Sequence, residues 1–393
     1  MHVDLWLEYL IRFSHLVAGI AWIGSSFYFI WMDSSFEAPE TARRNVEGEL
    51  FMVHGGFYYQ VEKRKIYPGE LPKILHWFKW EATLTWITGF LLLVVVYFLR
   101  GASLLIDPSV RSLTQGQAVG ASLAILVASW FLYDFIWLPR FAKWKPASTA
   151  LSAVLLAGLI YGLTRLFSGR GAFILTGAIL GSLMLLNVWI RILPGQTRMI
   201  RDAEAGRVPD YTVSLRSKTR SVHNTYFTFP VLFIMLSNHY PILYNHRWNW
   251  FLLILLSLSG ALVRHAMVTK KPVERWTLFP AALGLAALVY LTAAPPRPVI
   301  ENLSPVEYAQ VHAIVASRCL ACHSTNPTDD VYKSPPNGVV FETEAQLRQM
   351  AEKIHLHVVV AKSMPLGNKT GMTDEERETV RSWLSQQHLI QTP

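Results

Sequence analysis

Long apolar stretches alternate with short polar ones along this chain, and eight of the apolar stretches reach the ~20 residues that a helix needs to cross roughly 30 Å of hydrocarbon. They cover about 7–31, 80–99, 116–138, 147–167, 171–193, 221–240, 248–268 and 276–294. The sixth, SVHNTYFTFPVLFIMLSNHY, is the most polar and carries Pro230 mid-run. The first opens MHVDLWLEYL, with Asp4 and Glu8 where a signal peptide would be basic, and is expected to be a retained span. Loop 32–79 holds two aromatic stretches, LFMVHGGFYYQV and LPKILHWFKW, expected to lie along the inner interface. After Leu291 the pattern stops. TAAPPRPVIENLSP is proline-rich, and the remaining segment has the mixed composition of a small soluble domain. In that domain Ser304-Pro305-Val306-Glu307 predicts a helix start leading to Cys319, and Thr373-Asp374-Glu375-Glu376 predicts a closing helix through Trp383.

Composition agrees with a membrane location: 52% of residues are hydrophobic and only 16% charged. The formal charge of +9 is uneven, because residues 297–393 hold nine Lys and Arg against eleven Asp and Glu. The basicity therefore belongs to the apolar segment, where it orients spans, and nucleic acid is excluded as a partner. Twenty-one Lys and Arg fall in one set of alternate loops and five (Arg100, Arg111, Arg165, Arg170 and Arg247) in the other. The richer set faces the cytoplasm, which puts both termini outside. The predicted fold class is all-α: a polytopic membrane helix bundle of eight spans over 1–294, a linker over 295–303 and a small domain over 304–393.

The two cysteines are Cys319 and Cys322, with His323 directly behind, in RCLACHS. C-x-x-C-H is the attachment pattern of haem c: the thiols bond the vinyl groups and the imidazole becomes an axial ligand. A zinc site would need further Cys or His at regular spacing, and a thioredoxin-type pair would need a strand-to-helix setting. A class I cytochrome c takes its sixth ligand from a later loop, and Met364 in SMPLGNKTGMT, 41 residues after His323, is the choice. Met372 is its rival, Met350 reads as packing, and His355 or His357 would serve a bis-His iron. Because haem c is attached outside the cytoplasmic membrane, the domain is expected in the periplasm of a bacterial inner-membrane protein.

Eight spans are more than an anchor needs, and ionisable residues inside them suggest a catalytic module. His15 and His239 fall in the outer halves of spans one and six, with His246 beyond; His54, His76, His223 and His265 fall at or near the inner face. His15, Gly19, Trp22 and Ser26 form one helical row, which suits either haem b ligation or helix packing. His223 and His239 are 16 residues apart, about 160° around a straight helix, so they cannot share one haem. At the inner face Glu81, Asp134, Arg191, His223, Asn224, Arg264 and His265 gather near span ends, fit to bind an anionic hydrogen-bonding substrate. Arg191 and Arg264 also fit as plain positive-inside anchors.

RFSHLVAGIAWIGSSFYFIWMD, HGGFYYQVEKRKIYPGELPKILHWFKWEATLTW, and RCLACHS with MPLGNKTGMTDEERETVRSWL together resemble the membrane-bound, cytochrome c-linked urate oxidases, the urate hydroxylase PuuD family. The resemblance spans the chain, and its second block is the most distinctive. It implies oxidation of urate to 5-hydroxyisourate, with electrons passed to the C-terminal haem c and on to a periplasmic or membrane respiratory acceptor, without hydrogen peroxide. It assigns no catalytic residues; Glu81, Asp134, Asn224, His54 and His76 are the inner-face candidates. Urate inside and haem c outside would lie about 30 Å of hydrocarbon apart, which motivates haem b held by His223 with His265 and by His15 with His239. The competing readings are a respiratory electron-transfer subunit, a quinol or oxidase component whose cytochrome only relays electrons, and a haem sensor or haem-handling transporter.

Overall fold

Among the described residues, a helix stands at each of the eight apolar runs in the computed structural model, which describes residues 3–99, 102–269, 271–293 and 305–390. The linker 295–303, the expected cap Ser304, and the loop cations Arg100 and Lys270 lie outside the described residues. The order is α1 (Val3–Ser35), β1 (Val46–His54), β2 (Phe57–Arg64), α2 (Trp80–Leu92), α3 (Gln115–Ile136), a single turn α4 (Pro139–Ala142), α5 (Lys145–Leu166) and α6 (Gly169–Leu186). Then come α7 (Leu193–Glu204), α8 (Tyr211–Ser237), a turn α9 (Pro241–Tyr244), α10 (Asn249–Val268) and α11 (Leu278–Thr292). Wider π turns continue α2 over Leu93–Leu99 and α6 over Asn187–Ile192. Seven helical stretches among the described residues are long and apolar enough to cross a membrane. The stretch outside that group is α8, because its first half is polar. Asp210 starts it ten residues ahead of the apolar run by accepting the Thr212 N–H at 2.9 Å.

Burial grades the bundle. α6 is its axis, with 67% of its apolar window enclosed, and α2, α3, α5 and α8 pack around it; none of the corresponding window of α1 is buried. Leu93, Val96, Trp130, Leu163, Phe167, Leu175 and Ile179 belong to the main cluster, drawn from α2, α3, α5 and α6. α1 rests chiefly on α2, where Gly89 is required: a Cβ there would stand 2.9 Å from His15 Cε1. Outward faces rich in Leu, Phe and Trp are what lipid would cover.

The all-α expectation needs one correction. β1 and β2 form an antiparallel hairpin that pairs Leu50 with Val61 and His54 with Phe57. The turn is Gly55-Gly56, both at positive φ (61° and 82°), the conformation that two-residue hairpin turns demand. Its tip is apolar and exposed, with Val53 at 81% and Tyr58 at 73%.

The C-terminal part is built on α12 (Tyr308–Arg318) and α15 (Asp374–Gln386), with short α13 (Glu344–Gln349) and α14 (Ala351–Ile354) between them. α12 begins three residues later than Pro305 suggested, because Glu307 and Gln310 form the capping box. Thr373 and Glu376 form the box that opens α15, as the sequence indicated. Trp383, buried against Tyr308, joins the two helices over a core that includes Val311, Val315, Met372 and Leu384. This part meets the bundle at one end. Asn245 Nδ2 donates to the Ala361 carbonyl at 3.1 Å, Ser103 and Tyr332 hydroxyls lie 3.4 Å apart, and a Cβ on Gly367 would be 3.3 Å from the Ile106 carbonyl oxygen. Ser103, Ile106 and Asn245 belong to the loops that follow α2 and α8, two of the cation-poor set.

Candidate functional site

Two polar clusters flank α8 near the end of the bundle opposite the C-terminal part. The first faces α3 and the π turn of α6. A π turn adds a residue to the helical register, so side chains beyond it are re-aimed, and such turns recur at functional sites. Here it directs Asn187 and Arg191 towards α3 and α8. Asn187 Nδ2 donates to Tyr133 Oη and to Asn224 Oδ1, both at 2.9 Å, and Asn224 Nδ2 donates to the Met184 carbonyl. Tyr133 Oη and His223 Nδ1 share a 2.7 Å hydrogen bond, and the His223 ring stands edge-on to Trp137, 4.1 Å between centroids. Asp134 receives Arg191 Nε and Arg220 Nη2, each at 2.8 Å. Arg220 also reaches the Trp137 carbonyl. Each polar side chain has a partner, so this cluster ties α3, α6 and α8 into one unit.

The second cluster lies between α1, α8 and α10 and is incomplete. Arg264 is 1% exposed, yet its Nε and Nη2 have no hydrogen-bond partner. Its guanidinium carbon stands 4.1 Å from the Phe27 ring centroid and 6.0 Å from that of Phe229. Beside it Tyr226 Oη and His265 Nδ1 share a 2.6 Å hydrogen bond, His265 Nε2 lies 3.6 Å from Glu274, and the Thr269 hydroxyl donates to Glu274 at 2.5 Å. Tyr, His and carboxylate in line are a set that can pass a proton. Gly260, one turn before Arg264, admits Phe229 and Phe233, because a Cβ would be 3.1 Å from both side chains.

Two openings lie at the same end. A cavity of about 520 Å³ is lined by Phe29, Met32 and Asp33 of α1, Lys63 of β2, Gln196 of α7 and Ser221 of α8. A shallow cleft of about 670 Å³ carries Lys79, Arg198, Arg201 and Arg207 beside Trp77 and Trp189, a positive mouth that concentrates anions.

The cysteine site is at the other end. Cys319 follows α12 directly, and Cys322 and His323 come from the turn behind it. His323 Nδ1 donates to the Val339 carbonyl at 3.0 Å, which fixes the tautomer that leaves Nε2 free as a ligand. Met364 packs against the same core as Cys319, and Arg377 Nη1 holds its carbonyl at 2.7 Å. Burial pushes both thiols up to about 11, the reverse of a reactive redox cysteine. Cys319, Cys322 and His323 in one turn, with Met364 beside the same core, are the residues that would hold a thioether-linked haem.

The model of the urate oxidase N-terminal family matches residues 1–294. The chain belongs to that family. No curated protein and no solved structure matches it.

Within the urate oxidase N-terminal segment, Asp134, Arg191, His223 and Asn224 come together, joined by Tyr133, Asn187 and Arg220, which sequence reasoning passed over. Polar residues inside apolar runs were the available signal for Tyr133 and Asn187. Glu81 stands apart on α2, with a buried and unpartnered Oε2. His54 is exposed at the hairpin tip and His76 in the loop after it, so neither joins a cluster. The histidine pairs are not assembled. His223 turns to Tyr133 on α3, while His265 Nδ1 turns to Tyr226 and its Nε2 faces Glu274 at 3.6 Å. His15 is held by the Thr85 carbonyl and Thr88 hydroxyl and clamped on Gly89. His239 follows the end of α8 and is exposed, not inside a span. These four do not fit haem b as paired. Arg264 needs correction too, since a positive-inside anchor reaches for the interface whereas this one is enclosed.

Proposed function

We propose that this protein oxidises urate to 5-hydroxyisourate in the bacterial inner membrane, as the PuuD-type enzymes it resembles do, and delivers the electrons to the respiratory chain through its own haem c. Urate and water give 5-hydroxyisourate, two protons and two electrons, so no oxygen is consumed and no peroxide formed. On this reading residues 1–294 are an eight-span catalytic domain with α8 as the sixth span, 295–303 a linker and 304–393 a periplasmic class I cytochrome c domain. Haem c, attached through Cys319 and Cys322 with His323 and Met364 at its iron, would supply one-electron transfer to a periplasmic or membrane acceptor.

One observation carries the reading. The family match ends at residue 294, and the chain then adds a part with a C-x-x-C-H site whose Met364 loop lies against the cation-poor end of the matched bundle. A family concerned with urate thereby gains an electron outlet in the same chain. The opposite end supplies what a cytoplasmic monoanion would meet: a basic cleft and a buried, unpaired arginine.

Stopped-flow mixing of the purified full-length protein with urate or with a quinol, followed at the haem c α-band, is the test. Urate is expected to reduce the haem anaerobically and quinol not. Reduction by quinol alone would make the chain a respiratory relay, and reduction by neither would leave a sensor or transporter.

A further inference from the structure

From the surroundings of Arg264 we infer that it is the anchor of a binding site for a planar, anionic heterocycle, closed in this structure by Phe27 of α1. The inference rests on the reading that the substrate is urate and names where it sits.

The other buried arginines show what the fold does with such a charge. Arg220 (5% exposed) has Asp134 and the Trp137 carbonyl, and Arg377 (5%) has the carbonyls of Val358 and Met364. Arg264 is more deeply buried than either and has two ring faces. Rings attract the cation but accept none of its in-plane protons. Arginine cannot shed its charge, and an unpaired buried charge is among the costliest features a fold can carry. The unsatisfied atoms are Nε and Nη2, the side of the guanidinium that grips two adjacent acceptors at once. A urate monoanion offers such a pair at its deprotonated ring nitrogen and the carbonyl oxygen beside it; Phe27 and Phe229 touch, 5.9 Å between centroids with their planes 58° apart, so its flat ring would take the place of the Phe27 ring against Phe229. Tyr226 Oη, beside Arg264, adds a third polar contact.

Access follows from which wall is loosest. α8 and α10 are built into the bundle, whereas α1 is buried over none of its apolar window, and Gly24, one turn before Phe27, has nothing within 4 Å of its Cβ position. The 520 Å³ cavity under the hairpin begins at Phe29, two residues beyond Phe27, and reaches α8 at Ser221, about one and a half turns from Tyr226. A small displacement of α1 would join this cavity to Arg264.

The experiment measures urate binding to the purified full-length protein by equilibrium dialysis, and melting temperature with and without urate, for wild type, Arg264→Met and Arg264→Lys. Neutral hypoxanthine is the comparison ligand. Wild type is expected to prefer urate and to melt higher in its presence. Arg264→Met is expected to weaken urate binding roughly tenfold or more, with the preference over hypoxanthine gone, while its own melting temperature holds or rises, because removing an unpaired buried charge relieves the fold. Arg264→Lys should bind at an intermediate level, with the charge kept and the paired donors lost. Wild-type urate affinity in both variants would overturn the inference while leaving urate oxidation standing. A lowered melting temperature in both would also overturn it, by making Arg264 a structural residue. Absence of urate binding by wild type would instead overturn the functional reading.

Discussion

Asp329 shows how much a single side chain in the C-terminal part depends on its partners. Burial pushes its carboxyl up, yet the Lys369 ammonium at 2.7 Å and the backbone N–H groups of Tyr332 and Val331 more than offset this and hold it down at about 2. It thereby ties the segment behind His323 to the Met364 loop. An unfolded aspartate titrates near ~3.9, so the tie stabilises fully above about pH 4 and is lost as pH falls towards 2. Hydrogen exchange at α12 and α15 is expected to accelerate over that acid window in wild type. In Lys369→Met the acceleration should begin at higher pH, because the folded carboxyl no longer titrates so low. Identical acid profiles for the two proteins would refute the tie.

Among the long apolar helices, α1 is the most exposed, with none of its apolar window buried, and it packs chiefly on α2. It leans on α2 through His15, held by Thr85 and Thr88 with its Cε1 against Gly89. Gly89→Ala drives a methyl to within 2.9 Å of the imidazole carbon, and neither α2 nor a histidine bonded at Nδ1 can yield cheaply. Such overpacking costs typically 1–3 kcal/mol, and the expected outcome is a lower melting temperature of the detergent-solubilised protein. His15→Ala should restore it in the double variant; a neutral Gly89→Ala would show that α1 is not seated there. The hairpin was a different kind of surprise. Its strands contain alternating positions and its Gly-Gly turn is a recognised signal, but the aromatic residues crowded into loop 32–79 pointed towards an interfacial stretch. The positions of the apolar helices were legible because each needs only length and apolarity. The end of α8 was not, since Asp210 and a polar helical half extend it in a way no hydropathy window registers.

Across the whole molecule, two ends are distinguished by independent features. One carries the hairpin, the cation-rich loops, both polar clusters and both openings; the other carries the Cys319–His323 site. Asn245 is the clearest joint at the second end, donating to Ala361 three residues before Met364. If electrons leave through that contact, Asn245→Ala should slow urate-driven reduction of the haem several-fold while leaving reduction by ascorbate, which needs no joint, unchanged. Equal slowing of both would place the defect in the haem site, and no slowing would place the exit elsewhere.

The linear sequence by itself determined the long apolar helices, the sidedness expected from loop charge, and the C-x-x-C-H pattern, because each depends on the length, content or spacing of a continuous segment. Pairing across segments was decided only by the tertiary structure. Asp134, Arg191, Arg220 and Arg264 look alike as charged residues near span ends. Folding gathers both Arg191 and Arg220 onto the Asp134 carboxylate and leaves Arg264 against two phenyl rings, since which cation meets a carboxylate depends on how α1, α3, α6, α8 and α10 are turned. Helix rotation also separates His223 from His265, and α8 ends two residues before His239. Apolarity drives helices into the membrane and together, but the azimuth of each is set by close packing at positions such as Gly89 and Gly260, and that information lies in the contacts.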